Sequence, residues 1–244
     1  MVRRFRSVAS VGGRCFLVVV LCMAGLLVFQ DAASAAPSCS GSSHCYDIAV
    51  LGPVASPHAF TGVVSSIRVE CLSDTNSGYI NDETWLVNSS ADTWIEAGVD
   101  RYESGSGKVF FWADQRPGSY NNHYDTTDTV DTTDFYNFNI YSDSSTTFHV
   151  TDGDWDGEST GWPSGYLFDT LETGTETFNG ATGVSELGNS KGLEFYNQVG
   201  TLVSPWNVGS GAYTTYEDPM PSSWGTVSVT TANSNYFTQT VSSC

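Results

Sequence analysis

Glu96 and Glu176 are the residues whose setting in the sequence could do chemistry. Around the first, Trp94, Glu96, Gly98 and Asp100 alternate with Ile95, Ala97, Val99 and Arg101. A strand sends successive side chains to opposite faces, so one face carries a carboxyl beside an indole and a glycine. Glycine inside a strand marks a bulge or the close approach of another backbone or a ligand. The segment Leu171-Glu172-Thr173-Gly174-Thr175-Glu176-Thr177-Phe178 has the same grammar, with Glu172, Gly174, Glu176 and Phe178 on one side. Two carboxyls facing each other repel when both ionise. One then keeps its proton to higher pH while the other loses it sooner, which supplies a general acid and a general base. The plainer alternative is two polar faces turned to water, where charged residues mostly sit. The pattern alone leaves both readings open.

Two other constellations are weaker. Asp152-Gly153-Asp154-Trp155-Asp156-Gly157 matches the opening of a calcium loop, but Pro163 stands where the bidentate glutamate belongs. It reads as a solvated acidic loop, as does the tract from Asp125 to Asp134. The histidines at 44, 58, 123 and 149 are scattered. None lies in an HExxH or a G-x-S-x-G context, and no serine stands on a nucleophile elbow.

The elements that must position the glutamates are strands. Alternating runs with turn signals between them recur at Ala59 to Leu72, Tyr79 to Val87, Thr93 to Tyr102, Lys108 to Asp114 and Phe135 to Tyr141. They continue at Thr146 to Thr151, Leu171 to Phe178, Gly192 to Asn197, Gly225 to Thr231 and Tyr236 to Ser242. Many short strands without helical periodicity predict an all-β, two-sheet sandwich of the jelly-roll, concanavalin-like kind, with one concave sheet face.

The N-terminus adds a compartment. Arg3, Arg4, Arg6 and Arg14 precede or flank the apolar run Cys15 to Phe29, and Ala33-Ser34-Ala35 offers small residues for cleavage. Residues 1–35 are therefore expected to be a secretory signal, leaving one domain over 36–244 that is exported and not membrane-bound. Its removal leaves five basic against 26 acidic residues, a net charge of −21. So acidic a chain is not expected to bind nucleic acid or an anionic membrane. Cys39, Cys45, Cys71 and Cys244 remain, an even number that in an exported chain reads as two disulfides. Of three connectivities, Cys39–Cys45 with Cys71–Cys244 is favoured. No CxxC pair or histidine cluster suggests a metal.

Trp94-Ile-Glu-Ala-Gly-Val-Asp100 resembles the Leu-Gln-Thr-Gly-Val-Asp strand of the fungal glutamic peptidases, the eqolisins, with Glu96 at their catalytic glutamine. Glu172-Thr-Gly-Thr-Glu176 is similar to their Glu-Thr-Asn-Ala-Glu segment and places Glu176 on the catalytic glutamate. Thr84-Trp85 stands upstream as an Ala-Trp pair does in that family. The chain also resembles the neprosin-type glutamic endopeptidases. Glu96-Ala-Gly98, then Phe111-Trp112-Ala113-Asp114, then Gly118-Ser119-Tyr120-Asn121 stand where those have a Glu-x-Gly strand, a Tyr-Trp-Thr-x-Asp strand and a Gly-Cys-Tyr-Asn turn. Those enzymes use two glutamates, which suits glutamate at 96. Phe111-Trp112 replaces the eqolisin Glu-Trp, their Gly-Ile-Asp-Gly is absent, and Ser119 replaces the neprosin cysteine.

The resemblance implies a two-sheet jelly roll and a secreted, acid-acting endopeptidase that needs no cofactor. In it Glu176 would activate water and protonated Glu96 would polarise the scissile carbonyl of a polypeptide. Trp85, Trp94 and Trp112 would wall the substrate site with Glu172, and the protein is expected to be a monomer. Two other readings stay open on the residues. One is a jelly-roll glycoside hydrolase with two glutamates acting on a polysaccharide. The other is a non-catalytic sandwich that binds carbohydrate or protein.

Overall fold

The computed structural model describes residues 44–53, 59–73, 79–102, 107–128, 130–143, 146–152, 156–178, 185–203, 215–217, 226–229 and 237–242. The expected signal and the side chains of Cys39, Cys45, His58 and Cys244 lie outside these residues, and so does the favoured disulfide connectivity. Among the described residues, fifteen strands run in the order β1 (Cys45–Leu51), β2 (Phe60–Ser73), β3 (Tyr79–Asn88), β4 (Thr93–Tyr102), β5 (Val109–Arg116), β6 (Ser119–Asp125), β7 (Tyr136–Ser142) and β8 (Thr147–Thr151). They continue with β9 (Asp156–Thr160), β10 (Thr170–Phe178), β11 (Ser185–Asn197), β12 (Leu202–Val203), β13 (Thr215–Glu217), β14 (Thr226–Val229) and β15 (Phe237–Ser242). No helix among the described residues is long and apolar enough to cross a membrane.

The strands form two antiparallel sheets, as the turn-punctuated alternation predicts. One runs β13-β1-β10-β3-β4-β5-β6, and the other β14-β15-β11-β2-β7-β8-β9 with β12 added on β11. Between them lies the core. Leu51, Ile80, Leu86, Ile95, Ala97 and Val99 face inward from the first sheet, against Phe60, Val63, Ile67, Phe138, Ile140 and Phe148 of the second. Trp162 and Phe168, in the segment leading into β10, close this layer, with Phe148 and Phe168 edge-to-face at 5.3 Å. Phe168 is wholly buried, so Phe168→Ala should cost about 3–5 kcal/mol of stability.

Five strands escaped the sequence pattern: β1, β6, β9, β12 and β13. β6 and β9 end their sheets, and both expose most of their polar residues. An edge strand whose residues are mostly exposed has little need to alternate apolar with polar. A polar clasp joins these two ends of the sheets. Ser159 Oγ donates to Asp114 at 2.5 Å, and Trp162 Nε1 donates to Ser159 at 2.7 Å. Arg116 Nε and Asn121 Nδ2 bind the other Asp114 oxygen at 3.0 and 2.8 Å. The half calcium motif falls on the β8–β9 hairpin, where Asp156 and Gly157 are strand residues paired with Thr151 and Val150. Asp156 is exposed as expected, but Asp152 is buried; Asp154 lies outside the described residues.

Candidate active site

The register of the first sheet carries the site. On its outer face, pairing places Val50, Glu172, Trp85, Glu96 and Ala113 in one row across β1, β10, β3, β4 and β5. The next row is Ile48, Gly174, Glu83, Gly98 and Phe111. The third is Tyr46, Glu176, Asn81 and Asp100. Glu83 thus stands between two glycines, with Glu96 and Glu176 diagonal to it on either side. Diagonal neighbours on one sheet face are within reach of long side chains.

The glycines make this crowding possible. A Cβ on Gly98 would come within 2.5 Å of the Glu83 Cβ and 2.3 Å of the Asp82 carbonyl oxygen. Gly174 has φ of 147°, a conformation side chains rarely adopt. Without side chains at those positions the three carboxyls lean together, and one oxygen from each lies within 4.8 Å of the others. Glu83, Glu96 and Glu176 are all buried, at 0, 8 and 4 % exposure. Such a cluster is neutralised by protons or by a cation, and the two differ in their response to chelators.

Trp85 Nε1 donates to Glu96 Oε2 at 2.8 Å, and the Glu176 amide donates to Asn81 Oδ1 at 3.2 Å. Among the described residues, no N–H or hydroxyl group donates to either oxygen of Glu83. Burial, followed by the charges of Glu96, Glu176 and Asp100, holds the Glu83 carboxyl well above the usual carboxylate range. Glu96 is raised by burial and then by Glu176, against the pull of the Trp85 indole. Burial and the same cluster push the Tyr46 and Tyr79 phenols far up, and Tyr120 up to about 12.

Above the carboxyls opens a cavity of about 630 Å³. Trp85, Trp94, Tyr46, Tyr79 and Tyr120 wall it, and Glu96, Glu172 and Glu176 reach into it. Five of the six residues singled out from the sequence therefore meet at one place. Trp112 does not. It pairs with Ala97, on the face opposite Glu96, and packs in the core between the sheets at 3 % exposure. The expectation of a substrate wall at Trp112 is corrected accordingly: β5 places Phe111 and Ala113 on the sheet face that carries the carboxyls, and its tryptophan in the core.

Sequence reasoning missed Glu83 and His44. Glu83 was within reach, because Tyr79, Asn81, Glu83, Trp85 and Val87 alternate on one face of a strand already inferred. His44 carried no signal. It precedes β1, a strand the pattern did not reveal, and its Nδ1 hydrogen-bonds Glu176 Oε1.

The fold and the site together define a two-sheet sandwich with a carboxyl cluster beneath an aromatic cavity. No family model and no curated protein matches the chain. Among solved structures, a scytalido-glutamic peptidase bound to a transition-state-analog inhibitor is similar at a TM-score of 0.52 and 10 % identity, over 83 % of this chain and all of that one. SCP-B, a member of the eqolisin family of peptidases in complex with the tripeptide Ala-Ile-His, is similar at 0.55 and 11 %, with the same coverage. At such identity the likeness shows the fold: this chain has the fold of the glutamic peptidases.

Proposed function

We propose that the protein is an endopeptidase that works in acid with Glu176 as general base and Glu96 as general acid. The observation that carries this reading is the cluster of buried carboxyls within 4.8 Å at the floor of the aromatic cavity. Water held by ionised Glu176 attacks the scissile carbonyl carbon and gives up a proton to that carboxylate. Protonated Glu96 donates to the carbonyl oxygen and stabilises the oxyanion as the tetrahedral intermediate forms. When the intermediate collapses, Glu176 passes its proton to the departing amine, the C–N bond breaks, the re-forming carbonyl returns its proton to Glu96, and both carboxyls regain their starting states. Glu83 remains a neutral neighbour, while burial and the Glu176 charge favour a proton on Glu96. A polypeptide would lie between Trp85 and Trp94 with Glu172 at the side. The expected signal implies that this work is done outside the cell.

The test is cleavage of casein or a peptide library from about pH 3 to about pH 7, a range spanning ordinary and raised carboxyl values. Activity on the acid side, indifferent to chelators and serine-protease inhibitors, supports the proposal. A retaining glycoside hydrolase needs two carboxyls about 5–5.5 Å apart, a spacing of the same order, so soluble polysaccharides belong in the same assay. Their cleavage in place of casein would overturn the peptidase reading.

A further inference from the structure

The mechanism above uses no histidine, yet His44 sits on its general base. His44 Nδ1 is hydrogen-bonded to Glu176 Oε1, and Tyr79 Oη lies 3.2 Å from the same nitrogen. The ring stacks on Tyr46, with centroids 6.0 Å apart at 11°, and meets Tyr79 edge-on at 6.3 Å and 69°. The His44 side chain is 44 % exposed and that of Glu176 only 6 %. The imidazole therefore joins a buried carboxyl to solvent at the mouth of the cavity.

We propose that His44 is a positioning residue that, as the imidazolium, selects Glu176 as the ionised member of the three-carboxyl cluster and holds it in place. The proposal rests on the peptidase reading of the same site. Three carboxyls this close and this buried resist carrying more than one negative charge, and something must decide which one carries it. Among the described residues, Glu83 receives no N–H or hydroxyl donor, and Glu96 receives the neutral indole of Trp85. Glu176 receives His44. The other described groups around Glu176 are Tyr46 on β1, Tyr79, Asn81 and Glu83 on β3, and Glu96 and Asp100 on β4. None of these carries positive charge.

A charge-assisted hydrogen bond is roughly twice as strong as a neutral one. The bond to Glu176 raises the His44 imidazole above its ordinary value, with burial working against it. A raised histidine contributes its stabilisation fully below the ordinary value, near about 6.5, and loses it as pH rises through the raised one. The ring is thus charged throughout the acid range in which the cluster would work. One Glu176 oxygen is then committed to His44.

The experiment compares wild type with His44→Gln, which keeps a neutral donor, and with His44→Ala. The first readout needs no turnover: NMR titration of carboxyl-¹³C-labelled glutamate. In both variants Glu176 should take up its proton at a pH higher by about one unit, the usual effect of an opposite charge at hydrogen-bond range. The second readout is the pH dependence of kcat. Its acid limb should move up by a similar amount, with KM within about twofold, and added imidazole should return the limb in His44→Ala. A purely structural role would instead lower Tm or lower kcat evenly at every pH. If the Glu176 titration is the same in folded His44→Gln as in wild type, the assignment is wrong. If that titration moves but wild type cleaves no peptide, the peptidase reading fails and the role of His44 stands.

Discussion

From the last residue of β6 towards β7 the sequence Asp-Thr-Thr-Asp occurs at 125–128 and again at 131–134, whereas Glu83, Glu96 and Glu176 crowd beneath the cavity. In the loop, Asp125 Oδ1 accepts the Thr127 amide at 2.8 Å and its hydroxyl at 2.6 Å. Asp131 repeats the arrangement with Thr133, both bonds at 2.8 Å. These bonds from the threonine two residues on hold both aspartates below the usual carboxylate range. Under the cavity, burial outweighs the few donors and holds Glu83 and Glu96 well above it. One functional group is thereby set to opposite ends of its range within a single chain. The difference lies in what surrounds each carboxyl: local donors favour the ion, and burial among like charges favours the acid. An overall charge of −18 says nothing about which carboxyl is which.

The largest effect that would break this contrast is the loss of the general base. Glu176→Gln preserves shape and removes proton acceptance, so kcat should fall by about 10³-fold or more. Turnover within a few-fold of wild type would remove Glu176 from the mechanism.

Next is stability against pH. Glu83, Glu96 and Asp82 are raised in the fold, Asp82 by burial alone. In each case the folded state binds a proton that the unfolded chain has already released. Stability is then fullest below the ordinary carboxylate value of about 4 and falls as pH rises towards the raised values. Each group contributes a slope of up to about 1.4 kcal/mol per pH unit. Thermal melts of wild type and Glu83→Gln from about pH 4 to about pH 8 check this. The variant should lose less stability on the alkaline side, and parallel curves would refute the buried-acid account of Glu83.

Glu96→Gln should be milder, lowering kcat about tenfold, because an amide N–H still donates to an oxyanion. Its pH profile should lose the upper limb, since the amide does not titrate. An unchanged upper limb would assign that ionisation to another group.

The smallest effect lies in the loop. Asp131→Asn should leave turnover and its pH profile unaltered and lower Tm slightly at neutral pH. Because Asp131 is depressed, its contribution exists above the ordinary carboxylate value and fades as pH falls through the lowered one. Wild type and variant melts should therefore converge in acid.

Much of the fold was legible because a half-buried strand must alternate. β4 lies at Thr93–Tyr102, the bounds its pattern predicts, and β2, β3, β5, β7, β8 and β10 lie within two residues of theirs at either end. The edges were not legible: Ser119–Asp125 is polar along its length, and only backbone pairing with β5 makes it a strand.

Within the site, local alternation along each strand fixes which residues share a face. Glu96 with Trp94 and Gly98, Glu176 with Glu172 and Gly174, and Glu83 with Trp85 all follow from a period of two. Register between strands distant in sequence was decided only by the tertiary structure. Pairing β10 to β3 set Gly174 beside Glu83 and so brought Glu96 and Glu176 to either side of a third carboxyl. Pairing β4 to β5 turned Trp112 into the core. The joining of β1 to β10 delivered His44 to Glu176 across 132 residues of chain. A side chain's face is a local property of the backbone, whereas its partner depends on the whole set of contacts that fixes register.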